Sequence, residues 1–176
     1  MTEAVKKTGV KFGIILGAVS LLTTATIYSI DPLNFVSIWL GIGLFFVNLI
    51  IGIIGVAQAK KALNGFISFK EAFTVFFIIM ALGNFIGILF MYFLFNFIDP
   101  SVKDGIMEKS IEMTVNWMQS AGAKTEDIKK TVEQMKSTDN FSLGNQLKSY
   151  AIGLIVYILI GLIVAAAFKK TPIHEQ

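Results

Sequence analysis

The chain has no cysteine, one histidine and three prolines in 176 residues. Without cysteine there is no disulfide, no thiolate nucleophile and no thiolate metal site. The one histidine, His174, lies in the C-terminal tail. A Ser-His-Asp arrangement within the body of the protein, an H-E-x-x-H helix and a His/Cys metal cluster are therefore ruled out. Arginine is missing too: all 15 basic residues are lysine. That removes the planar fork suited to bidentate phosphate recognition. The lysines are also scattered, so a net charge of +3 does not mark a nucleic-acid surface. No P-loop and no G-x-G-x-x-G loop occurs. Charged residues make up only 15% of the chain, against about 25% in an ordinary soluble domain. These absences lead us to expect a protein that is not an enzyme, holds no cofactor or metal, and binds no nucleic acid.

Apolar residues, by contrast, make up 55% of the chain, and the mean hydropathy is +0.71. They are gathered into four long runs. A hydrocarbon core about 30 Å thick takes roughly 20 apolar helical residues to cross. The runs predict membrane spans at about residues 9–30, 33–57, 72–98 and 149–168. The expected fold is all-α: an integral membrane four-helix bundle forming a single domain over residues 1–176, in contact with the lipid bilayer. The first run follows Lys6, Lys7 and Lys11 much as a signal peptide would. It is longer than a signal h-region, and no A-x-A site follows, so it reads as a retained helix. The third run carries phenylalanine on every face, from Phe73 to Phe97. A helix apolar all round is a span rather than a surface helix.

The ends of the spans carry helix signals. Asp31 and Pro32 suit the cap and first position of the second helix. Lys60 and Lys61 fall in its last turn, before Asn64 and Gly65 as left-handed cap residues. In "NGFISFKEAF", Ser68 and Glu71 match the S-x-x-E capping box. Glu71 thus starts the third helix; the rival reading makes it a proton- or ion-handling carboxylate. Lys169, Lys170 and Pro172 stop the fourth. The motif Ile-Asp-Pro occurs at residues 30–32 and 98–100, which either relates two hairpins or is coincidence.

Lysine placement sets the direction. With four spans, the N-terminal flank, the connection holding Lys60, Lys61 and Lys70, and the Lys169–Lys170 flank share one side. Both termini are therefore expected in the cytoplasm of a bacterial cell, with the protein in the inner membrane. The opposite side carries one sizeable segment, about residues 99–148, with seven lysines against eight acids. Two short amphipathic helices are expected there, in the outer loop between spans 3 and 4. Asp99 opens the first and Thr125 caps the second. Val102, Ile106, Met113 and Trp117 share a face of the first, and Ile128, Val132 and Met135 form the stripe of the second. The pair either caps its own bundle, lies in the membrane interface with Trp117 as anchor, or meets a partner.

Within the spans, Asn48 and Asn84 are the notable polar groups, with Ser20, Thr23, Thr24 and Thr26 in the first helix. They serve either as hydrogen-bonding glue between helices or as the lining of a polar path. No charged residue lies mid-span, which weighs against a pump. Gly9, Gly13 and Gly17 recur every four residues, Gly83 and Gly87 make G-x-x-x-G, and Gly161 with Ala165 does similar work. Such faces let helix backbones approach closely, within the bundle or between copies.

Four stretches carry a family resemblance: "KKTGVKFGIILG", "NGFISFKEAF", "IMEKSIEMTVNWMQSAG" and the terminal "LIVAAAFKK". With this layout the chain resembles the domain-of-unknown-function family 4199 (DUF4199) of Bacteroidota-type membrane proteins. The resemblance implies a four-span inner-membrane protein and no assigned activity. The functional expectation is action through protein–protein interactions, with a membrane protein partner or as a homo-oligomer; the alternative is a small oligomeric transporter or channel.

Overall fold

The computed structural model describes residues 2–170. His174 and Pro172 lie outside them. Four long helices dominate: α1 (Glu3–Ile30), α2 (Ile38–Ala62), α3 (Phe69–Phe93, continued to Ile98 by a π-helical turn) and α6 (Leu143–Phe168). Each is long and apolar enough to cross a membrane. Between α3 and α6 stand α4 (Val102–Ser120) and α5 (Thr125–Ser137). Among the described residues the fold is helical apart from one isolated bridge, Ile67 with Lys170. It is an all-α multi-pass membrane bundle with apolar flanks facing lipid.

The core follows α3. Val75, Phe76, Ile79 and Met80 are fully buried on it, against Val5 and Leu16 of α1, Val56 and Ala59 of α2, and Val164 and Ala165 of α6. The most extensive seam joins α1 to α3. A Cβ on Gly9 would come within 3.0 Å of Ile78, one on Gly13 within 3.0 Å of Leu82, and one on Gly17 within 2.6 Å of Ile86. In return, a Cβ on Gly83 would come within 2.5 Å of Leu16, and one on Gly87 within 3.2 Å of Ser20. Numbers rise together on both helices, so α1 and α3 run parallel, and both step by four residues per contact. This is the small-residue packing that replaces hydrophobic drive inside a bilayer. Gly161 meets Phe73 and Phe76 in the same way on the α6 side.

Two ends close the bundle differently. At the lysine-rich end, the Lys60 ammonium donates to the Phe168 carbonyl at 2.9 Å. Ile67 and Lys170 exchange two backbone hydrogen bonds, of 3.0 and 2.8 Å. Asn64 takes the left-handed conformation (φ 55°) and Gly65 follows (φ 85°), turning the chain between α2 and α3. The opposite end has a small core of its own, where Leu94, Phe95 and Ile106 are buried against Phe35 and Phe141. The Phe95 ring meets Phe35 and Phe141 edge-on, at 5.3 Å each.

Several boundaries differ from the expected ones. Asp31 caps a 3-10 turn, Pro32–Val36, and not α2 itself. Its carboxylate accepts from Leu33 N at 2.9 Å. The chain breaks at Ser37, whose hydroxyl caps α2 at Leu40 N. Proline's fixed φ suits a 3-10 start as well as an α one, so Asp-Pro alone does not set the helix type. Asp99 is likewise not the cap of α4: Ser101 holds that place without a side-chain cap bond. Thr125 is the first residue inside α5, after Lys124. With Glu126 and Asp127 in the first turn, the positive dipole end is met by charge instead of a capping hydroxyl.

Candidate functional site

The polar residues of the spans converge on one level, near the middle of α2, α3 and α6. The Asn48 amide donates to Tyr157 Oη at 3.2 Å and to Asn84 Oδ1 at 3.4 Å. The Asn84 amide donates to the Met80 carbonyl at 2.8 Å, one turn back on its own helix. Three spans are thus tied by one neutral network. The distances to Asn48 are at the long end of the hydrogen-bond range, so the ties are loose.

A cleft opens on either side of Asn84. One lies between α1, α2 and α3, is an open cleft of about 160 Å³, and is lined by Ser20, Thr23, Thr24, Asn48 and Asn84 beside apolar neighbours. The second, about 190 Å³, lies between α3 and α6 and includes Ser149, Tyr150 and Tyr157. No lysine, aspartate or glutamate lines either. No acid–base pair and no nucleophile with a base beside it is assembled there. Among the described residues no group of three or more potential metal ligands forms.

Glu71 stands apart from these clefts, at the start of α3. Its carboxylate accepts from Ser68 N at 3.0 Å and from the Ser68 hydroxyl at 2.8 Å, while Glu71 N donates to Ser68 Oγ at 3.2 Å. This is a complete capping box, with its charge at the favourable end of the helix dipole. The carboxylate is occupied as a structural acceptor and is not brought together with Asn48 or Asn84.

At the far end Asp99 joins three elements. Its carboxylate accepts from the Tyr28 hydroxyl of α1 at 2.8 Å, and from Ser101 N and Oγ just before α4. The Ser101 hydroxyl first, then the Tyr28 phenol, hold its carboxyl below the usual carboxylate range. Next to it Lys103 donates to Asn96 Oδ1 at 2.7 Å, and Asn96 donates to the Phe141 carbonyl at 2.9 Å. The two Ile-Asp-Pro motifs thus do different work: Asp31 shapes a turn, and Asp99 clamps helices.

The α4–α5 hairpin is anchored by its first half only. Ile106 is buried, but Trp117, expected on the same face, is 73% exposed. Over those three turns α4 leaves the body, and α5 has no buried residue. Three contributors, Tyr157, Gly52 and Gly55, are not singled out by the sequence. Tyr157 lies in a long apolar run, and a phenol in mid-span needs a hydrogen-bond partner. Gly52 and Gly55 of α2 lack four-residue spacing, yet they take the side chains of Met80 and Ile79 directly against their backbones.

The family model described as "Protein of unknown function (DUF4199)" matches residues 11–170. No curated protein matches the chain, and no solved structure does. A match over nearly the whole length shows the family, and the chain belongs to DUF4199.

Proposed function

We propose that this DUF4199 protein is a non-enzymatic protein of the bacterial cytoplasmic membrane that works through contacts with other proteins, as an accessory subunit. The observation carrying this reading is the α4–α5 hairpin, fixed at its base by Ile106, exposed at Trp117, and with its α5 stripe of Ile128, Val132 and Met135 only half-buried. It is the largest part outside the spans among the described residues. It presents both charge signs, as the ion pairs Lys109–Glu112 and Lys130–Glu126 illustrate. The lysine distribution favours both termini in the cytoplasm and the hairpin on the other side. The absence of an ionisable pair in the mid-span clefts supports a non-enzymatic role. The test is gentle affinity purification from the native membrane, followed by intact-complex mass. A second protein in fixed ratio, lost when Trp117 and the α5 stripe (Ile128, Val132, Met135) are changed to serine, is the expected result. A chain that purifies alone, at one mass with or without those changes, overturns the reading.

A second reading, a small oligomeric transporter, is favoured by one observation: two clefts meet at Asn84 near the middle of the bundle. Flux in proteoliposomes that disappears with Asn84→Leu supports it; unchanged flux removes Asn84 from the case.

A further inference from the structure

The first cleft holds an imbalance of polar groups. Along α1, Thr26 and Ser29 return their hydroxyls to the carbonyls of Leu22 and Ala25, both at 2.8 Å. Thr74, Ser110 and Thr114 do the same on other helices. This is the usual way for a helix to satisfy a hydroxyl. Among the described residues, the hydroxyls of Ser20, Thr23 and Thr24 have no hydrogen-bond partner, and all three line the cleft. Thr24 is 8% exposed. No side-chain polar atom of the described residues is sealed off without a partner, so these hydroxyls keep access to open space; the cleft is where all three residues meet, and Thr23 also borders the groove beside Leu22 and Thr26. Asn48 faces the same space and spends only its amide hydrogens on Asn84 and Tyr157, leaving its carbonyl oxygen as an acceptor. At this depth an unmatched polar group is destabilising, and lipid tails supply no partner.

We propose that this cleft is a binding site for a small neutral guest bearing hydroxyl groups, a polyol of glycerol size. The lining supplies three hydroxyl donors, acceptor oxygens in excess of them, and no charge, so an ion entering it would meet no opposite charge to offset its lost hydration. The space of about 160 Å³ is close to the roughly 150 Å³ of an apolar cavity that takes benzene. A guest of about six heavy atoms fits; benzene and glycerol share that count, and the hydroxyl lining selects the second.

The inference supplies a ligand class for the transport reading of the same cleft, but its test reads occupancy, not flux. If the site is protected by glycerol and no flux is seen, transport fails and the site stands. The cysteine-free chain allows a single thiol to be placed at will. In lipid nanodiscs, the Ser20→Cys and Thr24→Cys variants are treated with a methanethiosulfonate reagent, which attacks the thiolate. Ile155→Cys, at a position 59% exposed on the lipid flank, is the reference. The cleft thiols should react on the order of tenfold or more faster, because each unit by which burial raises a thiol pKa removes about nine-tenths of its thiolate. Glycerol should slow them severalfold, and sucrose at equal osmolality, too large to enter, should not. Cleft thiols as inert as the Ile155 variant overturn the proposal. So does modification that glycerol and sucrose slow equally, or that neither slows, since the cleft then holds water alone. On the unmodified chain, magnetisation transfer from protein to glycerol, lost in Asn48→Leu, reads the same site without a thiol; no transfer overturns it as well.

Discussion

The flank formed by α2 and α6 is at least as apolar as the α1–α3 seam, yet the seam is closed and the flank open. In the seam, Leu16, Val75 and Ile79 are wholly buried and glycines lie against bulky side chains. On the flank, Trp39 is 80% exposed, and Ile155 and Ile163 face outward. α2 contains both situations. A Cβ on Gly41 or Gly43 would meet nothing, while Gly52 and Gly55 in its second half are pressed against α3. In a bilayer, apolar character alone gives no preference for a neighbouring helix over lipid. What separates seam from flank is a small residue placed opposite a large one at matching height.

The sharpest way to break this comparison is to put the same side chain in both places. Gly83→Leu should drive Leu16 out of position and lower stability by about 1–3 kcal/mol, the usual cost of overpacking. Gly43→Leu should leave the unfolding midpoint in detergent nearly unchanged. Equal effects would mean that the seam carries no special share of the stability. A smaller effect is expected at the polar level that ties the flank to the seam. Asn48→Leu should cost about 1 kcal/mol, and in a double-mutant cycle with Tyr157→Phe the two losses should not add, since one bond serves both. Full additivity would place Asn48's contribution elsewhere.

Smaller again is the change at the Lys60 tie. Lys60→Met keeps the stem but removes the donor to the Phe168 carbonyl. We expect faster hydrogen exchange in the last turn of α6 and no change in the α1–α3 seam. The smallest effect is expected at Asp99, where α1 meets the base of the hairpin. Its carboxyl is held below the ordinary range, so the clamp contributes fully above the unfolded carboxylate pKa and is lost as pH falls through the lower, folded value. Hydrogen exchange at residues 99–104 should rise in acid, and Tyr28→Phe should raise it at neutral pH while flattening the acid dependence. An acid dependence unchanged by Tyr28→Phe would show that Ser101 alone holds the carboxylate.

The sequence and the structure agree most where one physical requirement dominates. Length and hydropathy make the four long helices legible, and the Ser68–Glu71 pattern needs only three residues of local geometry. Agreement fails where two local solutions are close in energy, as at Pro32, which starts a 3-10 turn as readily as an α-helix. It fails again where the deciding contact is remote. Nothing near Tyr28 in the sequence announces Asp99, and nothing near Asn48 announces Tyr157. The divergence of Ile106 and Trp117 is of the same kind. Helical spacing puts them on one face, but only the body that α4 docks against decides where that face ends.

The parallel α1–α3 contact also has a consequence for biosynthesis. Ile78 trails Gly9 by 69 positions, and α2 must cross the membrane in between. At about 5–20 residues per second, the first helix waits roughly 3–14 s before its partner is made. During that interval its glycine groove is lined by acyl chains or by the insertion machinery. The mature seam therefore forms by displacement, and a cell that delays the third segment leaves a grooved, unmatched first helix open to the wrong neighbour.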